Sequence, residues 1–114
     1  ILMTKGGRKR DITAAVRRHW QAVADTGCII TQCPAQIAHC HGGSISDMGL
    51  KSGMGLRGVS HYLVLPLAPH LALELDGGNG VRAWEEIHGN QTDLLDRLSI
   101  RLGYSVWELA EVDR

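Results

Sequence analysis

The residues most able to do chemistry are four of the six histidines in the chain. They flank two short apolar segments, residues 36–38 and 62–67: His39 and His41 follow the first, whereas His61 precedes the second and His70 follows it. Residues at the ends of strands commonly face a cleft. We therefore predict that these histidines converge on one polar site.

The chemistry that this set favours is metal-assisted hydrolysis of a phosphodiester bond. The reaction needs a base that deprotonates water, a cation that neutralises the phosphoryl oxygens, and positive charge that holds the substrate backbone. Imidazole can fill the first two roles, because its pKa is near neutral and its neutral form is a good metal ligand. His39 and His41 would point to the same side if a strand continued through them. A packing or surface role is the alternative for each histidine, and we adopt it for the remaining two, His19 and His88.

The elements that must position these residues follow from periodicity and turn signals. An apolar stripe with a period near 3.6 predicts a first helix from Asp11 to about Ala24. Residues 28–31 and 35–38 are predicted to form a tight hairpin, followed by a glycine-rich loop over 42–60 and a third strand over 61–67. Shorter helices are predicted over 69–75, 81–87 and 92–102, with a last helical turn after a capping box at Ser105. The fold class is therefore α+β.

Length and hydropathy limit the organisation of the chain. With 114 residues, it is predicted to form a basic flexible arm over 1–10 and a single domain over 11–114. No apolar run approaches the roughly 20 residues that span a bilayer, and no secretory signal is visible. We therefore expect a soluble, cytoplasmic protein without a membrane partner.

Charge is divided unevenly along the chain. Residues 1–71 contain eight Lys and Arg against three Asp and Glu, whereas residues 72–114 contain four against nine. The basic half favours a phosphate-bearing partner, with the candidate contacts Arg8, Lys9, Arg10, Lys51 and Arg57. A solvated, disordered tail is the alternative for the arm. The acidic half, with its amphipathic helix at 92–102, is a candidate protein-binding face.

Three cysteines, Cys28, Cys33 and Cys40, cannot all pair with one another. Their C-x4-C-x6-C spacing lacks the C-x2-C element of a zinc ribbon, so it is a weak zinc signal. An odd number of cysteines also argues against a disulfide framework. We predict buried free thiols for at least two of the three.

The segment from Gly27 to Gly89 resembles phage and prophage HNH nucleases of the recombination-enhancement type. The matching elements are Gly27-Cys28-Ile29, Ile37-Ala38-His39, Gly53-Met54-Gly55, Ser60-His61 with Pro66-Leu67, and Gly80-Val81-Arg82-Ala83-Trp84-Glu85. The order and spacing of these elements carry the resemblance, which covers somewhat over half of the chain. The chain departs from the family at Ala68 and Ala72, where relatives usually carry Cys or His.

This resemblance implies a ββα-metal fold and a DNA endonuclease that acts in recombination or replication, in a bacterial host cell or encoded by a phage. It implies that His39 is the general base and that His61 orients it or helps to bind the cation. A divalent cation, Mg²⁺, Mn²⁺ or Zn²⁺, is the implied cofactor. His41 and His70 are the candidate ligands, and His41 could recruit the cation in place of the missing family ligands.

Two other functions remain open from the sequence. One is a catalytically degenerate nucleic-acid-binding module on the same scaffold, which would bind DNA in a salt-sensitive way without cutting it. The other is a zinc-stabilised interaction domain in which the three cysteines and a histidine hold the hairpin, and which a chelator would unfold.

Overall fold

The protein pairs two short strands that lie far apart in the sequence and surrounds them with helices. The computed structural model describes residues 12–49, 60–78 and 80–112. Within these ranges the chain forms six helices and a two-stranded antiparallel sheet, which confirms the α+β class. The elements are α1 (Ala14–Asp25), β1 (Gln36–His39), α2 (Gly43–Asp47), β2 (Val64–Leu67), α3 (Pro69–Gly77), α4 (Val81–His88), α5 (Gln91–Leu102) and α6 (Val106–Val112).

The sheet is built on the most apolar run of the sequence. All four residues of β2 are buried, as expected for a strand that is covered on both faces. Strand β1 pairs with it in a register that places Gln36 opposite Leu67 and His39 opposite Val64. Helix α1 packs against both strands, α3 packs against both strands, and α5 packs against β2. The last residue of β1 therefore lies beside the start of β2.

The predicted hairpin between residues 28–31 and 35–38 is wrong. Residues 28–33 form a tight turn in which the Cys28 amide donates to the Cys33 carbonyl (2.8 Å) and the Gln32 amide donates to the Cys28 carbonyl (2.8 Å). The amide of Ile29 donates to the carbonyl of Pro66 in β2 (2.9 Å). Since the segment folds back on itself and bonds to β2, the partner of β1 is the distant β2 and not residues 28–31. Only two strands therefore form in the described residues, and the strand predicted over 61–67 spans only Val64–Leu67, with His61 in the turn before it.

The helices follow the predicted periodicity closely. Helix α1 begins at Ala14 and not at the predicted Asp11, because the Thr13 hydroxyl accepts a hydrogen bond from the Val16 amide (3.2 Å) and so caps the first turn. Helix α5 ends at Gly103, which adopts a left-handed conformation with φ of 83°. The Ser105 hydroxyl accepts from the Glu108 amide (3.3 Å) and opens α6, as the capping box predicts.

One helix was not predicted. The short α2 lies inside the segment that was expected to be a glycine-rich loop, and its first residues, Gly43, Ser44 and Ile45, are buried. Ile45 contributes to the core, which Val23, Leu65, Leu67 and other aliphatic side chains complete. Among the described residues, no helix is long and apolar enough to cross a membrane.

Candidate functional site

His39 and His61 come together with Trp20 at the end of the sheet. His39 is the last residue of β1, and His61 lies in the turn just before β2. The two imidazole ring centroids are 5.9 Å apart, and the Trp20 ring lies 5.4 Å from that of His39 and 5.9 Å from that of His61. All three pairs meet edge to face. The antiparallel pairing thus brings together the two histidines that the sequence singled out as catalytic.

Trp20 also fixes the backbone of this cluster. Its indole N–H donates to the carbonyl of His61 at 2.7 Å. Because Trp20 is on α1, this bond ties the turn before β2 to the helix that covers the sheet. Trp20 is partly buried against the core and makes this polar contact as well.

The surroundings of His39 favour its neutral form. Burial lowers the pKa of His39, and the neighbouring His61 and His41 lower it further, whereas the carboxylate of Asp76 opposes them. Within the described ranges, the enclosed Nε2 atom of His39 has no hydrogen-bond partner. The residue as a whole is only half-buried.

Next to this cluster, His41 forms a pair with a carboxylate that the sequence reasoning missed. Nε2 of His41 lies 3.1 Å from Oδ1 of Asp76, which is in the last turn of α3. The imidazole is about one-third exposed and the carboxylate is mostly exposed. His41 lies beyond the end of β1, so the predicted strand alternation does not explain its position. Asp76 gave no signal in the sequence, because only the packing of α3 on the sheet brings it to His41.

The remaining predicted metal ligand lies elsewhere on α3. His70 is exposed in the first turn of that helix, six positions before Asp76. Side chains six apart on a helix point about 120° away from each other. No hydrogen bond or ion pair joins His70 to His41 or Asp76 in the described structure.

The donors in this region fit only some cations. In the part of the chain that is described, no group of three or more His, Cys, Asp or Glu side chains could hold a metal ion. Structural zinc takes four protein ligands and catalytic zinc three, which this arrangement does not offer. Mg²⁺ keeps several of its waters and is bound through one or two carboxylates together with substrate phosphate. By the number of its ligands the His41–Asp76 pair therefore suits a hydrated cation such as Mg²⁺ or Mn²⁺ better than Zn²⁺, and Asp76 is the ligand of the type that these cations prefer.

A buried carboxylate supports the segment that carries His41. The side chain of Glu85 in α4 is only 6% exposed. It accepts hydrogen bonds from the Ser44 amide (3.0 Å), the Ser44 hydroxyl (2.6 Å) and the Gln91 amide (2.9 Å). Burial alone would raise the pKa of Glu85, but the hydrogen bonds from Gln91 and Ser44 outweigh it, so its pKa lies below the ordinary value. Glu85 thus stays ionised and satisfies the first turns of α2 and α5 at once.

Gln91 connects Glu85 to the backbone of His41 through hydrogen bonds. The fully buried amide side chain of Gln91 accepts from the His41 amide (3.0 Å) and donates to the His41 carbonyl (2.8 Å). It also donates to Glu85 (3.2 Å). The backbone of His41 is therefore held on both sides, as in a strand pairing, by one side chain whose orientation Glu85 fixes. The network of Glu85, Gln91 and Ser44 is called the Glu85 bracket below.

The two glycines that follow His41 are required by this bracket. Gly42 and Gly43 have φ of 65° and 48°, in the left-handed region that favours glycine. A Cβ atom on Gly43 would overlap the carboxylate of Glu85. The sequence indicated only that the loop was rich in glycine, whereas the structure gives these two a specific reason.

All five predicted phosphate contacts lie outside the described residues. These are Arg8, Lys9 and Arg10 of the predicted arm over 1–10, together with Lys51 and Arg57; Gly53-Met54-Gly55 of the family resemblance lies outside as well. Within the described ranges, Arg17 and Arg18 are exposed on α1, shortly before Trp20, which packs at the histidine cluster. They are additional candidates for holding a phosphate backbone.

The cysteines do not assemble a zinc site. Cys28 and Cys40 are buried, Cys33 is exposed, and all three are free thiols, which agrees with the prediction of at least two buried thiols. Burial and the nearby Glu85 raise the pKa of Cys40. Burial would raise the pKa of Cys28, but hydrogen bonds from Thr31 and neighbouring amides lower it overall. The three cysteines belong to no metal-binding group in the described structure.

Comparison of the chain with protein-family models, with curated proteins and with solved structures gives no match.

Proposed function

We propose that the protein is a metal-dependent DNA endonuclease in which His39 is the general base and the His41–Asp76 pair holds the cation. The observation that carries this proposal is the placement of a half-buried, neutral-favouring His39 beside that pair. The order of elements supports it too, because two antiparallel strands are followed directly by a helix, as in the ββα-metal fold. The base lies at the end of the first strand, and Asp76 supplies a ligand from the helix.

The chain's own groups divide the work of hydrolysis. His39, whose surroundings favour the neutral imidazole, takes a proton from the attacking water at a ring nitrogen. Trp20 and His61 hold the imidazole by their edge-to-face packing. When bound, the cation would neutralise the phosphoryl oxygens and the leaving oxygen. The basic residues of the first half hold the DNA backbone.

The setting and partners belong to the same proposal. In this proposal, which follows the resemblance to recombination-enhancement nucleases, the protein acts in phage or prophage recombination or replication, within the cytoplasm of a bacterial host. DNA is the proposed substrate. The acidic second half, whose α5 exposes Asp93 and Asp96, is proposed to contact a protein partner.

The proposal is tested by incubating supercoiled, linear and single-stranded DNA with the protein and Mg²⁺, Mn²⁺, Zn²⁺ or a chelator. Native protein is expected to cut with Mg²⁺ or Mn²⁺, and His39→Ala is expected to lose the activity. His88→Ala is a matched control, because His88 is a half-buried histidine that packs on Trp84, away from the cluster. Absence of cutting with every metal would contradict the proposal.

A second candidate function is a nucleic-acid-binding module without catalysis. It is favoured by the lack of any group of three metal-binding side chains among the described residues, and by the two buried alanines, Ala68 and Ala72, at family ligand positions. DNA binding that persists in the chelator, with no cutting under any metal, would support this second function over the first. No observation favours the zinc-stabilised domain.

A further inference from the structure

A groove lined by two tyrosines lies directly beside the histidine cluster. It runs between α1, the turn before β2 and the connection from α5 to α6, and has a volume of about 320 Å³. The lining residues are Ala15, Arg18, His19, Tyr62, Tyr104 and Leu109. Tyr104 is 39% exposed and Tyr62 is half-buried, so aromatic surface faces the solvent.

The two tyrosines are held in place by one buried histidine. His19 is only 4% exposed, and its Nε2 lies 3.0 Å from the carbonyl of Tyr62 while its Nδ1 lies 2.9 Å from the hydroxyl of Tyr104. A carbonyl can only accept, so Nε2 carries the proton and the neutral ring accepts from the Tyr104 hydroxyl at Nδ1. The His19 ring is 5.2 Å from that of Tyr62 and 5.8 Å from that of Tyr104. Ordered aromatic rings of this kind lose little conformational entropy when a flat ligand packs on them.

The groove and the proposed active site are linked by residues that are neighbours in the chain. Tyr62 follows His61 in the chain, and His19 precedes Trp20, whose indole donates to the His61 carbonyl. His19 and Tyr62 therefore line the groove, whereas their chain neighbours Trp20 and His61 belong to the histidine cluster. Exposed Arg18 adds a positive charge at the groove, which suits a ligand that joins a flat ring to a phosphate.

We propose that this groove is a subsite for one unpaired nucleobase of the DNA strand that is cut, so that the substrate is single-stranded or locally unpaired DNA. A base in a duplex is stacked on both faces and cannot enter such a groove without being flipped out. Stacking of a free base on tyrosine tolerates any sequence, because every base has a π face. This inference rests on the proposed nuclease function for its biological meaning, but binding tests it without any cutting.

The experiment measures fluorescence anisotropy of a labelled oligo(dT) of about 15 nucleotides, and of a duplex of the same length, in a chelator that prevents metal-dependent cutting. Tyr104→Ala is expected to weaken oligo(dT) binding at least about fivefold and to leave duplex binding unchanged, since stacking of a base on an aromatic residue contributes about 1–3 kcal/mol. Tyr104→Phe keeps the ring and is the matched control, expected to remain within about threefold of the native affinity. Ala15→Trp fills the groove from an exposed helix position without removing a ring, and is expected to weaken oligo(dT) binding as well.

The subsite is overturned if native protein does not bind oligo(dT), if Tyr104→Ala and Ala15→Trp both bind it with native affinity, or if they weaken duplex binding equally. Failure of the nuclease function gives a different pattern. Tyr104-dependent binding of oligo(dT) with no cutting under any metal would support the subsite and contradict the endonuclease function.

Discussion

Replacing Glu85 with glutamine should destabilise the protein and loosen the segment that carries His41. The carboxylate receives donors on both oxygens, with the Ser44 amide at Oε1 and the Ser44 hydroxyl and Gln91 amide at Oε2. A glutamine keeps one acceptor and places an N–H group opposite the Ser44 amide, so donor faces donor. A hydrogen bond to a charged group contributes about 1.5–3 kcal/mol, so we expect Glu85→Gln to cost about 2 kcal/mol.

Glu85→Ala removes every acceptor and leaves several buried donors unpaired, so it should cost about 4 kcal/mol. The measurement is urea unfolding at neutral pH. Glu86→Gln is the matched control, because Glu86 is the next residue of α4 and is exposed. It should change the free energy of unfolding by less than about 0.5 kcal/mol.

The pH dependence supplies an independent check on the same carboxylate. The pKa of Glu85 is lower in the folded state than its ordinary value, so its stabilising contribution is present above the ordinary carboxylate range and is lost as the pH falls through the folded-state pKa. The stability difference between native protein and Glu85→Gln should therefore shrink on acidification. A difference that stays constant or grows below about pH 4 would refute the assignment of an ionised, bracketing Glu85.

Three further predictions concern the proposed cation ligand Asp76, the glycine Gly43 and the buried His19. Asp76→Asn should weaken Mn²⁺ binding at least about tenfold in a titration calorimeter, whereas His70→Ala should leave it unchanged; equal effects would contradict the ligand assignment. Gly43→Ala should cost about 3 kcal/mol, because the alanine must adopt a positive φ and its Cβ overlaps a buried carboxylate, while Gly77→Ala, where a Cβ meets open space, should not destabilise the protein. Burial lowers the pKa of His19, so below about pH 6.5 the unfolded state binds a proton more readily than the folded state. The free energy of unfolding should therefore decrease as the pH falls below about 6.5, and it should decrease less steeply in His19→Gln. Identical slopes of this free energy against pH in urea unfolding would contradict the prediction.

The helices could be predicted because their signals are local. The stripe of Val16 and Val23, the proline at the start of α3 and the glycine after α5 each act within a turn or two of the residues they organise. The strand pairing could not be predicted in the same way. The partner of β1 is β2, which residues 40–63 separate from it, and a nearby apolar run at 28–31 competed for the assignment.

The residues of the candidate site likewise differ in whether their signals are local in the sequence. His39 and His61 were predicted from their positions beside apolar segments, and the sheet brings them together. Asp76 could not be found, because an acidic residue near the end of a helix is ordinary until the packing of that helix is known. Glu85 was visible only as part of the resemblance, since its partner Ser44 is 41 residues away in the chain.

Chemical rescue tests whether His39 is the general base of a metal-dependent nuclease. Single-turnover cleavage of single-stranded DNA would be measured with Mg²⁺ or Mn²⁺ for native protein and His39→Ala, with and without added imidazole. We expect the variant to be slower by about 10²–10⁴-fold and imidazole to restore part of the rate, since a base supplied from solution can take the proton from water. Cleavage by His39→Ala at the native rate, or a defect that imidazole leaves unchanged, would contradict the claim.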